Sequence, residues 1–368
     1  MKSCGRLAGL VWAGLLAACS SGNPGQTLPE PIGQPGELVV VCDPALWNGA
    51  SGRAIRSIYG GAQPGMPQPE PAFRIYQFRS DQISSLSRRY RNLLFLSTTE
   101  RKREASGLEE DLWGSEQRPQ DRDQKQDFIF AEKKEHWAHE QYIMYLVGRN
   151  DTELAKALLD RKEPLLQRLN ESERSRGMAR LKKIPAQKEA TEGLRRFMGI
   201  DLHIPNTYSI KRLDSGFVWL SRDLADKSYN LLVWTTPLAL SDGLAGIRPP
   251  EMDVRPILER KDTLTRMFVA GPLEGTYYRT EYLEEPTAIR FVRDKAIQAT
   301  EIRGLWKIEN DFMGGPFVHL SQYDPGGRRI VNLEGFVYYP EESKRELLRE
   351  LECLIYSAKS ISAKGYGR

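Results

Sequence analysis

The sequence predicts an α+β fold, a two-lobed body of mainly antiparallel sheets with helices packed on one face. Three observations carry that prediction. Short runs rich in β-branched and aromatic residues outnumber helical patterns, and many of them are joined by short turn signals. Strand-to-helix steps recur at residues 141–169, 231–269 and 329–361, which supply helices to cover a sheet face.

The elements follow in order from Glu37. Leu38 to Cys42 is a β-branched strand, and Leu46 to Tyr59 has helical spacing that Gly60 and Gly61 end. A proline-rich loop covers residues 62–71, and strands are expected at Phe73 to Phe78 and Leu93 to Ser97. Residues 100–126 mix acidic and basic side chains with few apolar ones and read as a solvated insertion. A strand at Gln141 to Val147 leads through Gly148, Arg149 and Asn150 into a helix with Leu154, Leu158, Leu165 and Leu169 on one face. The polar stretch after it, with Arg174, Arg176, Arg180, Lys182 and Lys183, reads as an exposed helix face.

The second half repeats this vocabulary. Strands are expected at Asp201 to Ile204, Tyr208 to Leu213, Phe217 to Leu220 and Leu231 to Thr236, then a helix around Val254 to Val269. Thr276 to Tyr282, Ile289 to Arg293 and Ala299 to Ile308 follow as strands. The sequence Asp324-Pro325-Gly326-Gly327 marks a turn between Phe317 to Tyr323 and Arg329 to Tyr339. After Pro340, a last helix presents Leu347, Leu351, Leu354 and Ala358 as a stripe that docks on a sheet.

The first residues differ from all of this. Lys2 and Arg6 precede a twelve-residue apolar run, Leu7 to Ala18. At about 1.5 Å per residue the run spans about 18 Å, short of the ~30 Å hydrocarbon core, so it reads as a signal peptide. Leu16-Ala17-Ala18-Cys19 resembles a bacterial lipobox, which implies cleavage before an acylated Cys19. Acyl chains contribute about 0.8 kcal/mol for each buried CH₂, so the membrane is an expected partner. Ser20 rather than Asp follows the anchor, and no charged residue stands between Cys19 and Glu30. The expected location is the outer membrane, on its periplasmic face. Residues 20–36 hold four Pro and four Gly and read as a tether.

The expected organisation is therefore a signal peptide over 1–18, a tether over 19–36, a first lobe over 37–198 containing the 100–126 insertion, and a second lobe over 199–368. The chain of 368 residues carries 53 Lys+Arg against 49 Asp+Glu. That balance argues against a nucleic-acid partner, which would need a concentrated basic surface. Removing Cys4 with the signal and acylating Cys19 leaves Cys42 and Cys353 as the remaining thiols. In an oxidising compartment they either pair or stay buried as small apolar residues.

No GxSxG, P-loop, GxGxxG or CxxC pattern is present. His136 and His139 have i, i+3 spacing but lack further ligands, and Asp121, Asp123 and Asp127 lack the glycine and closing glutamate of a calcium loop. No metal or cofactor is expected. What remains is carboxylates beside backbone-special residues, namely Glu70, Glu274, Glu301 and Glu334, with Arg303 two residues beyond Glu301. Such groups commonly accept turn amides or pair with a neighbour, while two carboxylates about 5 to 10 Å apart would support glycoside hydrolysis. Trp47 and Trp306, flanked by polar residues or glycine, are the aromatic candidates for an exposed groove. The candidate binding surface is thus Trp47, Glu70, Glu274, Glu301, Arg303 and Trp306.

The spaced motifs Leu46-Trp47-Asn48-Gly49, Pro67-Gln68-Pro69-Glu70-Pro71 with Phe73, Trp137-Ala138 with Gln141, Gly271-Pro272 with Glu274-Gly275, Arg303-Gly304-Leu305-Trp306, Met313-Gly314-Gly315-Pro316-Phe317 and Glu334-Gly335-Phe336-Val337-Tyr338 resemble a family of Bacteroidota lipoproteins defined by a domain of unknown function. The resemblance runs through nearly the whole chain after Cys19. It implies an envelope lipoprotein and assigns no catalytic residue. A non-enzymatic binding or scaffold module with an envelope-protein or peptidoglycan partner is the leading expectation. A carboxylate-dependent glycan hydrolase and a small-ligand carrier with an apolar cavity are the alternatives.

Overall fold

The computed structural model describes residues 28–101, 128–238, 252–282, 289–294, 297–324 and 326–361. The signal segment, Cys19, the start of the tether, nearly all of the 100–126 insertion and the trio Asp121, Asp123 and Asp127 lie outside the described residues.

The first lobe begins with β1 (Glu37–Val41), α1 (Pro44–Asn48), α2 (Ala50–Tyr59) and β2 (Arg74–Phe78). It continues with β3 (Asn92–Thr98), β4 (Phe128–Lys134), β5 (Tyr142–Gly148), α3 (Asp151–Asp160) and α4 (Lys162–Lys182). The five strands lie in the order β2-β1-β3-β5-β4. β1 is parallel to β2 and β3, β3 is parallel to β5, and only β4 runs antiparallel to its neighbour. Antiparallel pairing dominates the molecule as a whole, as the sequence predicts, but this sheet departs from it. Val39 and Val41 pack on one face and Leu38 and Val40 on the other. A strand buried on both faces reads as a continuous apolar run, which is the signature of a parallel sheet.

The helix expected over Leu46 to Tyr59 is two helices. The Asp151 carboxylate, at the start of α3, accepts from Ala50 N at 2.8 Å and Ser51 N at 2.9 Å. It caps α2 from outside, since Gly49 has no side chain with which to do so. The tether is also shorter than expected. Ile32 N donates to Arg89 O at 2.9 Å, Arg91 N donates to Ile32 O at 3.0 Å, and His139 N donates to Pro29 O at 2.9 Å. The chain is thus docked on the first lobe by Pro29, because its backbone groups find partners even though its side chains offer little to bury.

α4 joins the lobes. Leu165 and Leu169 belong to the first lobe's core, whereas Met178 and Leu181 belong to the second's. The second lobe comprises α5 (Lys188–Met198), β6 (Ile200–Asp201), β7 (Ser209–Leu213), β8 (Phe217–Asp223), β9 (Ser228–Pro237) and α6 (Val254–Phe268). It is completed by β10 (Tyr278–Glu281), β11 (Ile289–Asp294), β12 (Ile297–Ile308), β13 (Gly314–Asp324), β14 (Arg329–Tyr338), α7 (Arg345–Ser357) and β15 (Lys359–Ser360). Its main sheet is antiparallel in the order β10-β12-β13-β14-β9-β8-β7, with β11 also paired to β12.

Alternation along β14 divides this sheet into two cores. Val331, Leu333 and Val337 pack with α5 and α7, while Phe336 packs with Trp234, Phe317 and α6. Helices therefore cover one face of the first sheet and both faces of the second. α5, which the sequence places at the end of the first lobe, contributes Ala190, Leu194 and Met198 to the second lobe's core. The lobes therefore meet at residues 183–187. Among the described residues no helix is long and apolar enough to cross a membrane.

Candidate functional site

The polar middle of α4 is not a solvated face. Glu173, Arg174 and Arg176 are 1%, 8% and 8% exposed, because α7 and the first lobe close over that turn. A helical stretch without an apolar face bridges between domains or relies on side-chain pairing, and the middle of α4 does both. The Glu173 carboxylate accepts from Arg176 Nη2 at 2.7 Å and Asn92 Nδ2 at 2.7 Å. Burial alone would raise the Glu173 carboxyl, yet Arg176, Arg349 and the Asn92 hydrogen bond hold it below the ordinary range. Burial pushes the Arg176 guanidinium down to about 10 despite Glu173.

Next to this pair lies the cluster containing two residues that the sequence singles out. Glu301 and Arg303 alternate onto one face of β12, and Glu301 Oε1 meets Arg303 Nε at 2.8 Å. Arg303 Nη1 stands 2.8 Å from Glu352 Oε1 of α7, an ion pair without hydrogen-bond alignment. The Tyr356 hydroxyl donates to Glu301 Oε2, and the Arg174 guanidinium stacks 4.1 Å over the Tyr356 ring. Burial opposes the charge on Arg303, but Glu301 and Glu352 raise it well above the usual arginine range.

Arg349 of α7 donates through Nη2 to Ala72 O at 2.7 Å and lies 4.6 Å over Phe73, tying α7 to the first lobe. Together these groups face a cleft of about 340 Å³ between the lobes, lined by Gln63, Asn170, Arg174, Arg303, Arg349 and Glu352. A second hollow of about 520 Å³ lies on the other side of Arg174 and Tyr356.

The other sequence candidates do not join this cleft. Glu70 is buried at the lobe junction as a helix cap, accepting from Ser343 Oγ at 2.8 Å and Lys344 N at 2.8 Å. Glu274 is exposed on the loop after α6. Trp47 is half-buried in the first lobe beneath Arg56, 4.4 Å from its ring. Trp306, expected to be exposed, is 3% exposed. Its indole donates to Val337 O at 3.2 Å and stacks on Tyr278, because Gly315 leaves room for the ring against β13. Polar neighbours along the sequence say little about a strand residue, whose surroundings come from the neighbouring strands.

A second polar constellation lies under α6. Glu334 accepts from Tyr278 OH at 2.6 Å, lies 3.5 Å from Lys261 Nζ, and meets His319 Nδ1 at 3.1 Å. His319 Nε2 reaches Ser321 Oγ at 2.9 Å, which donates to Asn332 Oδ1 at 2.7 Å. Burial would raise the Glu334 carboxyl, but Lys261, His319 and Tyr278 bring it below the ordinary range. Ser321, His319 and Glu334 follow the bonding order of a nucleophile, base and acid. Each is 0% exposed, so in this conformation the order is structural.

His136 and His139 fall in a turn rather than on a helix, since Gln141 holds Trp137 N at 2.9 Å. Among the described residues no group of three or more His, Cys, Asp and Glu side chains is placed to hold a metal ion. Cys42 and Cys353 are both free and buried, and burial pushes each thiol up to about 12.

Sequence reasoning does not reach Glu173, Arg174, Arg349 or Glu352. The available signal is a 21-residue helix without an apolar face in its middle, together with charges at the edge of the Leu347-Leu351-Leu354 stripe.

No curated protein matches the chain. Among solved structures, the Ran-binding protein Mog1p of Saccharomyces cerevisiae is similar at a TM-score of 0.30, with 9% identity over 45% of this chain and 92% of that one. A Mog1 mutant gives a TM-score of 0.28, with 8% identity over 46% of this chain and 94% of that one. Scores of this size carry no functional argument. Residues 31–182 match the model of a domain of unknown function, DUF8532, and residues 187–357 match a second, DUF4837. The two matches meet where α4 ends and α5 begins, and both are to domains of unknown function.

Proposed function

We propose that this chain is an outer-membrane lipoprotein of the Bacteroidota type, acylated at Cys19, whose body is a non-enzymatic binding or scaffold module facing the periplasm. The charged cleft between the lobes is its binding face. The lipobox-like Leu16-Ala17-Ala18-Cys19 supports the anchor. The observation that carries the binding reading is the convergence of Glu301 and Arg303 with Arg174, Arg349 and Glu352 on one cleft between the lobes. Sites at domain junctions are a common place for ligands. Glu70, Glu274, Glu301 and Glu334 are spread over four different settings, so no pair of them offers the two facing carboxylates of a glycosidase. The cleft lining mixes charged side chains with Ile58, Ala62, Pro64 and Leu166, which suits a polar ligand better than the wholly apolar cavity of a small-ligand carrier.

The test uses tagged full-length protein in its native membranes. Palmitate labelling of the wild type, lost in Cys19→Ala, is the expected outcome for the anchor. Pull-down against envelope proteins and murein sacculi should retain a partner that Arg174→Gln releases. Folded, membrane-anchored protein that retains neither would overturn the reading.

A further inference from the structure

We propose that the cleft between the lobes is a binding site for an oxyanion, a carboxylate or phosphate group held by Arg174 and Arg349 with Arg303 behind them. This rests on the reading of the cleft as the binding face and adds the class of its ligand. Three guanidinium groups line the cleft, and each of these residues is less than a tenth exposed. Three buried carboxylates act on these arginines, Glu301, Glu352 and Glu173, and each is already engaged, Glu173 by Arg176 and Asn92. Glu301 is taken by Arg303 Nε and by the Tyr356 hydroxyl. Glu352 is taken by Arg303 Nη1, so that Arg174 Nη1 stands 4.0 Å from its second oxygen. The nearest carboxylate to Arg349 Nε is Glu346 at 3.6 Å, which is partly exposed and already binds Arg345 Nε at 2.6 Å.

Arg349 Nε is buried without a hydrogen-bond partner, and so is Arg303 Nη1. A buried donor left unsatisfied is costly to the fold, and these spare N–H groups belong to arginines that line the cleft while their charges are balanced by Glu301, Glu352 and Glu346. At the rim, Lys162 and Glu163 offset one another, while Gln63 and Asn170 supply neutral polar groups. The planar guanidinium fork matches the paired oxygens of a carboxylate or phosphate.

Full-length protein is titrated in separate arms with inorganic phosphate and with acetate, at an ionic strength fixed with chloride. Calorimetry and thermal unfolding are the readouts. A rise in Tm and a saturable heat in at least one arm, both absent with chloride, are expected. The responding arm tells phosphate from carboxylate chemistry. Arg174→Gln and Arg349→Gln should weaken that response at least tenfold. Arg168→Gln, on the exposed part of α4, should leave it unchanged. In case either variant fails to fold, phenylglyoxal modification of the wild type is mapped by mass spectrometry, with slower labelling of Arg174 and Arg349 expected in the responding anion. No response in either arm, or unaltered labelling of both arginines, overturns the proposal. An anion response without any retained envelope partner would keep this site and remove the scaffold reading. A retained partner without an anion response would do the reverse.

Discussion

Glu70 of the first lobe accepts the backbone N–H of Arg345 at 3.0 Å, across 275 residues of sequence. One lobe therefore supplies the cap for the first turn of a helix in the other. The carboxylate also takes Lys344 N and Ser343 Oγ, and Arg345 returns the contact by donating to Pro71 O at 2.7 Å. Helix starts leave amides unsatisfied and favour negative charge, so this contact couples the folding of α7 to the docking of the loop.

Glu70→Ala should lower global stability by about 1–3 kcal/mol, the cost of a lost cap together with buried amides left unpaired. Glu70→Gln, which keeps an acceptor, should lose less. Urea unfolding checks both, and an unchanged midpoint for Glu70→Ala would remove the cap from the account of lobe docking.

Gly65 tests the same junction from the other side. Its φ is +74°, and an added Cβ would stand 2.8 Å from Arg303 Cβ and from Gly304 N. Gly65→Ala should destabilise by about 1–2 kcal/mol from the backbone alone, with more from displacing β12. Gly216→Ala, at a position with an ordinary φ where an added Cβ meets nothing nearer than Asp214 Oδ1 at 3.5 Å, is the comparison, and equal effects in thermal melts would discount the close approach.

The buried pair under α6 should behave as a unit. Lys261→Met leaves Glu334 charged and without its cation, and should cost about 3–5 kcal/mol. The double variant Lys261→Met with Glu334→Leu should lose much less than the sum of its single changes. Additive losses in a double-mutant cycle would show that the two groups are not coupled.

Acid should loosen both polar clusters. The Glu173 and Glu334 carboxyls lie below their unfolded value of 4.5. The unfolded chain therefore binds more protons as pH falls toward and past that value. The stability that these groups contribute is full above about 4.5 and is lost as pH falls through their folded values. Tm measured from pH 7 to pH 3 should drop mainly below 4.5, and Glu173→Gln should flatten part of that drop.

Thiol chemistry gives an independent check on packing. With both thiols buried and raised to about 12, Cys42 and Cys353 hold almost no thiolate at pH 8. Iodoacetamide followed by peptide mapping should leave both unlabelled in the native protein and label both in urea. Gly177 packs against Cys353, and a Cβ there would lie 2.4 Å from its Sγ. Gly177→Val should therefore speed labelling of Cys353 while leaving Cys42 protected.

Most strands are legible because their signal is local. The alternation of β13 and β14 around the Asp324 turn, and the continuous apolar runs of β1 and β5, are readable from side-chain order. β4 is not among the expected strands, since its Glu132-Lys133-Lys134 end looks like a solvated charge run. It becomes a strand only because β5 offers an edge to pair with. Glu301 and Arg303 are legible as neighbours from their spacing on one strand face, but the fates of Trp306 and Glu334 depend on strands that come together from distant parts of the chain.

By itself the sequence determines the α+β class, the strand and helix vocabulary, the balance of charge and the lipobox-like start, all of which follow from composition and short-range periodicity. The tertiary structure decides which charges are solvated and which are trapped between lobes. Arg174 and Arg176 read as surface residues along α4 and are buried, because two apolar cores close over the same helix and bring α7 against it. Burial of a charge depends on what packs against it from far along the chain, and no local pattern encodes that.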